Sequence, residues 1–329
     1  MVKPKFEIKG NVKVYKCSNQ ECQRETPRVV VEGQIPKSSV GLVGFSGHGK
    51  TVYLTALFYL LKKLREKHSN KWKDYYFSAL DSYTIEIVYE HVKKFENSKL
   101  PESTPKNFPF PALLEFKNIP NFGDWLLSMY DTAGAVFENP LDIPEQGRFV
   151  AKADVCLFII SIVDCGDNWA DEMEKLLETY RRAVYDRMHI NLKETQKIIV
   201  VLTKADEFVD KLPKKLADYL EKGSIDKYLY LDNGIIKELE DISISVREWL
   251  IKNNCGGFVK LAEGNFKKVR YTIVSSTGAK PEGMDLATKL KPEHPKRVLD
   301  PFLWILYEVY PKGIWYYLKK FGKRLLFND

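Results

Sequence analysis

The sequence predicts an α/β fold, three layers deep, with a mostly parallel central sheet and a small β-hairpin element ahead of it. Three observations carry that expectation. From Val40 onward, apolar runs of strand length alternate with stretches whose apolar residues recur at helical spacing. Residues 155–163 form a nearly unbroken apolar run, the pattern of a strand buried on both faces, and 198–202 reads as the next one. A glycine-rich turn, Gly44-Phe45-Ser46-Gly47-His48-Gly49-Lys50-Thr51, joins a short apolar strand at 40–43 to a helix at 52–64.

That turn reads G-x-x-x-x-G-K-T, a phosphate-binding P-loop in the strand–loop–helix context the motif requires. Glycines let backbone N–H groups curl around phosphate oxygens, and the helix N-terminus adds partial positive charge. The nucleotide-contacting set is then Ser46, Gly47, His48, Gly49, Lys50, Thr51 and Val52. Lys50 is placed to reach the β- and γ-phosphates, and the Thr51 hydroxyl to hold Mg²⁺.

The chain has 329 residues, 44% hydrophobic and 29% charged, which suits one large domain with additions or two domains. Net charge is +7 from 51 basic and 44 acidic residues, a mild excess that permits an acidic partner without arguing for one. No signal-peptide core follows Met1, and no run reaches the ~18 apolar residues of a membrane-spanning helix. The expected location is the cytoplasm. Five scattered cysteines, Cys17, Cys22, Cys156, Cys165 and Cys255, do not form a disulfide framework.

Residues 1–38 read as an appended element with strands at 12–15 and 29–32. Cys17 and Cys22 lie between them like the tip of a zinc ribbon. Zinc needs four ligands and no second close pair is visible, so the reading is a degenerate hairpin without Zn²⁺. Residues 39–310 form the main domain, with helical insertions at about 65–100 and 211–265. Residues 84–97 read as an amphipathic helix carrying His91 on its surface. Strands at 112–116 and 125–130 suit an antiparallel pair turned by Pro120 and Gly123.

The second of these strands runs into Asp131-Thr132-Ala133-Gly134. A carboxylate at a strand's C-terminal end suits a Mg²⁺-associated Asp131, and Gly134 can bring a backbone N–H to a γ-phosphate. A loop with Pro140, Pro144 and Gly147 follows, then a long helix at 169–190. The strand at 198–202 ends in Thr203-Lys204-Ala205-Asp206, which fits [N/T]-K-x-D. The Asp206 carboxylate can accept from the N1–H and exocyclic amine of guanine, whereas adenine offers no donor at either position. Lys204 would lie over the ring. Residues 235–251 read as a long helix, 252–266 as a glycine-containing loop, and 269–274 as the last strand. Ser275, Ser276 and Thr277 follow it, where a backbone N–H would meet guanine O6.

In this order the motifs resemble the TRAFAC class of Ras-like P-loop NTPases, over roughly residues 39–310. The interval from the P-loop to DTAG is about twice that of a minimal Ras-like domain. The chain is similar to the prokaryotic DO-GTPase group, which has a helical insertion before an LP-x-x-T-like first switch and a proline-containing terminal helix. Leu100 to Thr104 and Arg297 to Trp304 match these features. The resemblance implies a three-layer Ras-like G domain that binds GTP or GDP with Mg²⁺ and works as a molecular switch hydrolysing GTP. Thr51 and Thr104 would coordinate Mg²⁺, with Asp131 close by. Lys50, Thr104 and Gly134 would be the catalytic set, Thr104 and Gly134 sensing the γ-phosphate.

One departure stands out. Ala135 occupies the position where Ras-like proteins usually carry a water-orienting glutamine, so intrinsic hydrolysis is expected to be slow. His48, Glu138, Glu145, Gln146 and Arg148 are the candidates in the chain to replace it, and an activating protein partner or a homodimer is the other source. The second functional reading is therefore a GTP- or GDP-binding regulatory or scaffold module with little turnover of its own. The basic, aromatic segment 311–329 is read as packed on the domain, with protein docking or peripheral membrane contact as the alternatives. Direct nucleic-acid binding is not expected, because no helix-turn-helix, complete zinc finger or RNP pattern is present.

Overall fold

The computed structural model describes residues 5–9, 12–16, 25–66, 71–102, 111–230, 233–280, 291 and 294–309. Thr104, Cys17, Cys22 and the segment 311–329, all singled out above, lie outside these residues.

The N-terminal element is a small antiparallel sheet of β1 (Lys5–Lys9), β2 (Val12–Lys16) and β3 (Glu25–Thr26). The strand expected at 29–32 is instead one helical turn, Arg28–Glu32. β3 already pairs with β2 through Tyr15 and Thr26, and Pro27 then supplies a fixed φ of −56° and no N–H. Arg28 and Tyr15 both reach the Glu32 carboxylate, which favours the turn over an extended valine run.

The main sheet has seven strands: β4 (Lys37–Val43), β5 (Tyr76–Ala79), β6 (Ala112–Ile119), β7 (Gly123–Asp131), β8 (Val155–Ser161), β9 (Lys197–Thr203) and β10 (Lys268–Ile273). Their order is β10-β9-β8-β4-β7-β6-β5. Every neighbouring pair from β10 to β7 is parallel, while β6 runs antiparallel to both β7 and β5. The hairpin expected at 112–130 is present. β5 was not anticipated.

Helices cover both faces. The longer ones are α1 (Lys50–Glu66), α2 (Trp169–Arg182), α3 (Lys214–Glu221), α4 (Asn233–Lys252), α5 (Gly256–Asn265) and α6 (Leu299–Val309). The insertion at 82–96 is helical throughout, with a π turn at Glu86–His91 between two short α segments. α5 replaces the loop expected at 252–266. Phe258, Val259 and Ala262 are buried there, and that burial outweighs the ~1 kcal/mol each glycine costs inside a helix.

Side-chain alternation divides the core in two. Leu157 and Ile159 of β8 face a core shared with α1, the 82–96 insertion and α6. Cys156, Phe158 and Ile160 face the other core, which holds α2, α4 and α5. α2 contributes Met173, Leu176, Leu177 and Tyr180, the i, i+3, i+4, i+7 stripe of a half-buried helix. All seven residues of β8 are buried, as a central parallel strand requires.

Candidate functional site

Parallel register brings the C-terminal ends of five strands to one edge of the sheet. Leu42 pairs with Asp131, Val43 with Phe158, Ser161 with Thr203, and Leu202 with Ile273. These strand ends, the loops that follow them and the first turn of α1 carry every sequence-predicted site residue that the structure describes.

The P-loop occupies the turn from β4 into α1. Gly47 and Gly49 adopt φ of 80° and 82°, which side-chain-bearing residues rarely do. A glycine turn of this conformation at a helix N-terminus can curl backbone N–H groups into an anion-binding concavity. Lys50, 6% exposed, donates from Nζ to the carbonyls of Gly44 (2.8 Å) and Phe45 (2.9 Å). Burial pushes its ammonium down to about 8, against the pull of Asp131 and Glu138. Ser46 and Gly47 are exposed, and Val52 packs against the α1 core.

On one side of the P-loop, Thr51 Oγ1 donates to Asp131 Oδ2 at 2.9 Å. A hydroxyl and a carboxylate side by side, next to a phosphate cradle, are the hard oxygen donors that Mg²⁺ takes together with phosphate oxygens and water. Among the described residues, no three His, Cys, Asp or Glu side chains gather to hold a metal by themselves. The donor set thus fits an ion shared with a nucleotide. Gly134 lies directly against this loop: a Cβ there would sit 2.1 Å from the Ser46 nitrogen. Ala135 follows, half-buried, in a 3₁₀ turn over Gly134–Phe137.

His91 is not the surface residue expected. Its Nδ1 is buried without a hydrogen-bond partner, and the ring lines a cavity of about 30 Å³ with Thr51, Asp131 and Tyr83. Burial and Lys94 lower its pKa. The π turn ending at His91 carries it there, and helical periodicity alone does not reveal such a turn.

On the other side lies a larger cavity of about 540 Å³, lined by Ser46, His48, Glu138, Asp164, Cys165 and Glu172 among others. Two of the five candidates for orienting water, His48 and Glu138, reach it. His48 is 4% exposed, with Nε2 3.8 Å from Cys165 Sγ. Burial, then Lys50, lowers it to about 4, so it is neutral near pH 7. Glu138 is exposed and its charge acts on Lys50. Glu145 and Arg148 are exposed and do not line this cavity, and the Gln146 Oε1 is buried without a hydrogen-bond partner.

The TKAD segment closes the site from β9. Thr203 Oγ1 donates to the His48 carbonyl at 2.9 Å, tying the end of β9 to the P-loop. Lys204 takes a left-handed φ of 54°, and its Nζ pairs with Asp164 at 2.6 Å. Sequence reasoning passed over Asp164. The available signal was its place just past β8, the strand between β4 and β9 in the sheet. The Asp206 carboxylate, half-buried, has no protein partner among the described residues. The Ala205 N–H donates to the Val274 carbonyl at 3.1 Å, which sets Asp206 beside the loop after β10. There Ser275 and Ser276 are buried, and Thr277 Oγ1 donates to the Ala279 carbonyl at 2.7 Å.

No curated protein matches the chain in sequence. The sequence model of a protein family described as Double-GTPase 2 matches residues 38–256, which contain the P-loop, DTAG and TKAD. With two thirds of the chain inside that match and its phosphate and base motifs on one sheet edge, the protein belongs to this Double-GTPase family of P-loop GTPases.

Proposed function

We propose that this protein binds GTP with Mg²⁺ at the C-terminal edge of its sheet, hydrolyses it slowly to GDP and phosphate, and acts as a switch. The observation that carries the reading is the Thr51–Asp131 contact beside Lys50, on the same edge as the free Asp206 carboxylate. Phosphate, metal and base chemistry then meet in one place.

In this reading the P-loop N–H groups and Lys50 hold the β- and γ-phosphates, and Thr51 is the protein's metal ligand with Asp131 behind it. Mg²⁺ supplies charge neutralisation on the phosphate oxygens. Thr104 is the proposed second ligand and γ-phosphate sensor. Gly134, already against Ser46, leaves its N–H close to where a γ-phosphate would lie. Lys204, Asp206, Thr203 and the Ser275–Thr277 backbone read the guanine.

The Ala135 methyl cannot orient water, and of the nearby groups Glu138 is the solvent-exposed acceptor beside Ser46. The same alanine favours a second reading, a nucleotide-dependent regulatory module whose turnover is supplied by a partner or a second copy. Multiple-turnover GTP hydrolysis with Mg²⁺ separates the two, measured alongside GTP, GDP and ATP binding for wild type, Asp206→Ala and Glu138→Ala. The switch reading expects GTP turnover without ATP turnover, guanine binding lost with Asp206→Ala, and turnover but not binding reduced by Glu138→Ala. Tight guanine binding with no turnover leaves the regulatory module. Equal ATP and GTP affinity would sink both.

A further inference from the structure

The loop after β10 is held by a second stretch of chain as well as by its own turn. Ser275 exchanges both backbone hydrogen bonds with Lys296, at 3.0 and 2.8 Å. Gly278 donates its N–H to Ser275 Oγ at 2.9 Å and has φ of 77°. It lies so close to the chain at His294 that a Cβ there would sit 2.2 Å from the His294 carbonyl oxygen. The segment around 294–297 therefore clasps Ser275–Gly278 from outside.

What holds the clasp is Arg297, the residue after Lys296. It is 1% exposed and adopts φ of 59°, a left-handed conformation unfavourable for a long side chain. Four contacts keep it there. Its N–H donates to the Gly223 carbonyl at 3.0 Å, and its Nε donates to the Tyr219 carbonyl at 2.6 Å. Its guanidinium carbon lies 3.4 Å from the centre of the Tyr219 ring. Its Nη2 is 3.9 Å from Glu238 of α4. At the start of α6, the fully buried Asp300 accepts from the hydroxyls of Tyr219 and Tyr228, and its N–H donates to the Arg297 carbonyl at 3.0 Å. The 211–230 excursion, α4 and the start of α6 thus converge on one residue, through its backbone and its side chain.

We propose that Arg297 is a positioning residue for base recognition: it fixes the 294–297 clasp and so sets where the Ser275–Gly278 backbone meets the base. The inference rests on the guanine reading of this edge. A planar, multiply donating guanidinium suits the role because stacking and directed hydrogen bonds together fix orientation, which a lysine's single ammonium does not. It also gives the polar 211–230 excursion a function, since Tyr219, Gly223 and Tyr228 are its contacts to the clasp.

The test compares wild type, Arg297→Lys and Gly278→Ala for binding of GDP, ADP and inorganic tripolyphosphate, with thermal unfolding of each. Tripolyphosphate probes the phosphate site with no base. Arg297→Lys is expected to lose about tenfold or more in GDP affinity, and to release GDP faster, while ADP and tripolyphosphate binding stay within about twofold. Gly278→Ala disturbs the clasp without touching the buried network and is expected to show the same selective loss, so an Arg297→Lys protein that fails to fold leaves the test intact. A GDP loss matched by an equal tripolyphosphate loss makes Arg297 merely structural and overturns the inference. So does unchanged GDP affinity in either folded variant. Wild type without preference for GDP over ADP overturns the guanine reading itself, and the inference with it.

Discussion

His48 shows how one side chain is fixed by its surroundings. It fills the variable position of the P-loop, yet its carbonyl accepts from Thr203 and its ring meets Cys165. With the folded imidazole at about 4 against an ordinary 6.5, an unfolded chain takes up a proton below about pH 6.5 that the native ring refuses. His48 therefore costs no stability above that pH. Between about 6.5 and 4 it lowers stability as pH falls, by at most about 1.4 kcal/mol per pH unit. Thermal unfolding across that window should fall less steeply for His48→Gln than for wild type, and parallel slopes would show that His48 titrates normally in the fold. The motif residues were legible in the sequence because a P-loop, a DTAG turn and a TKAD turn each carry their chemistry within eight residues or fewer. Asp164 and His91 were not, because their neighbours at the site lie far along the chain.

At the scale of elements, long periodic segments were readable and short ones were not. α1, α2, α4 and the strands β8 and β9 have patterns long enough to outweigh single residues. β5 is four residues, Tyr-Phe-Ser-Ala, and exists because β6 offers it a pairing edge. α5 carries glycines that argue for a loop until its buried face is known. α6 buries six apolar side chains, from Leu299 to Leu306, in the core it shares with α1. Phe302, 1% exposed, has its ring 5.4 Å from Phe116 and 6.0 Å from Trp125, and Trp304 lies beneath the Arg270 guanidinium at 4.3 Å. Phe302→Ala is expected to cost about 3–5 kcal/mol in urea unfolding. A loss under about 1 kcal/mol would mean that α6 does not unfold with the sheet.

For the molecule as a whole, the sequence announced an α/β fold with an antiparallel pair, but not the strand order. Which strand lies beside which is decided by pairings between residues far apart, such as Leu42 with Asp131 and Ser161 with Thr203. That order seats the P-loop strand between β8 and β7, within a run of five parallel strands, and leaves β10 and β5 at the two rims.

The rims carry a consequence for solubility. An unpaired strand flank is a template onto which another chain can add, and natural sheets blunt it with short strands or charge. Here β5 is short, and β10 alternates Lys268 and Arg270 with apolar neighbours, both cations reaching Glu308 of α6. Replacing the pair by threonine would leave a strand of Thr, Val, Thr, Tyr, Thr and Ile, rich in residues that favour intermolecular β-pairing. Light scattering of concentrated Lys268→Thr/Arg270→Thr protein should then show self-association that wild type resists. A variant as monodisperse as wild type would mean that these charges do not guard the rim.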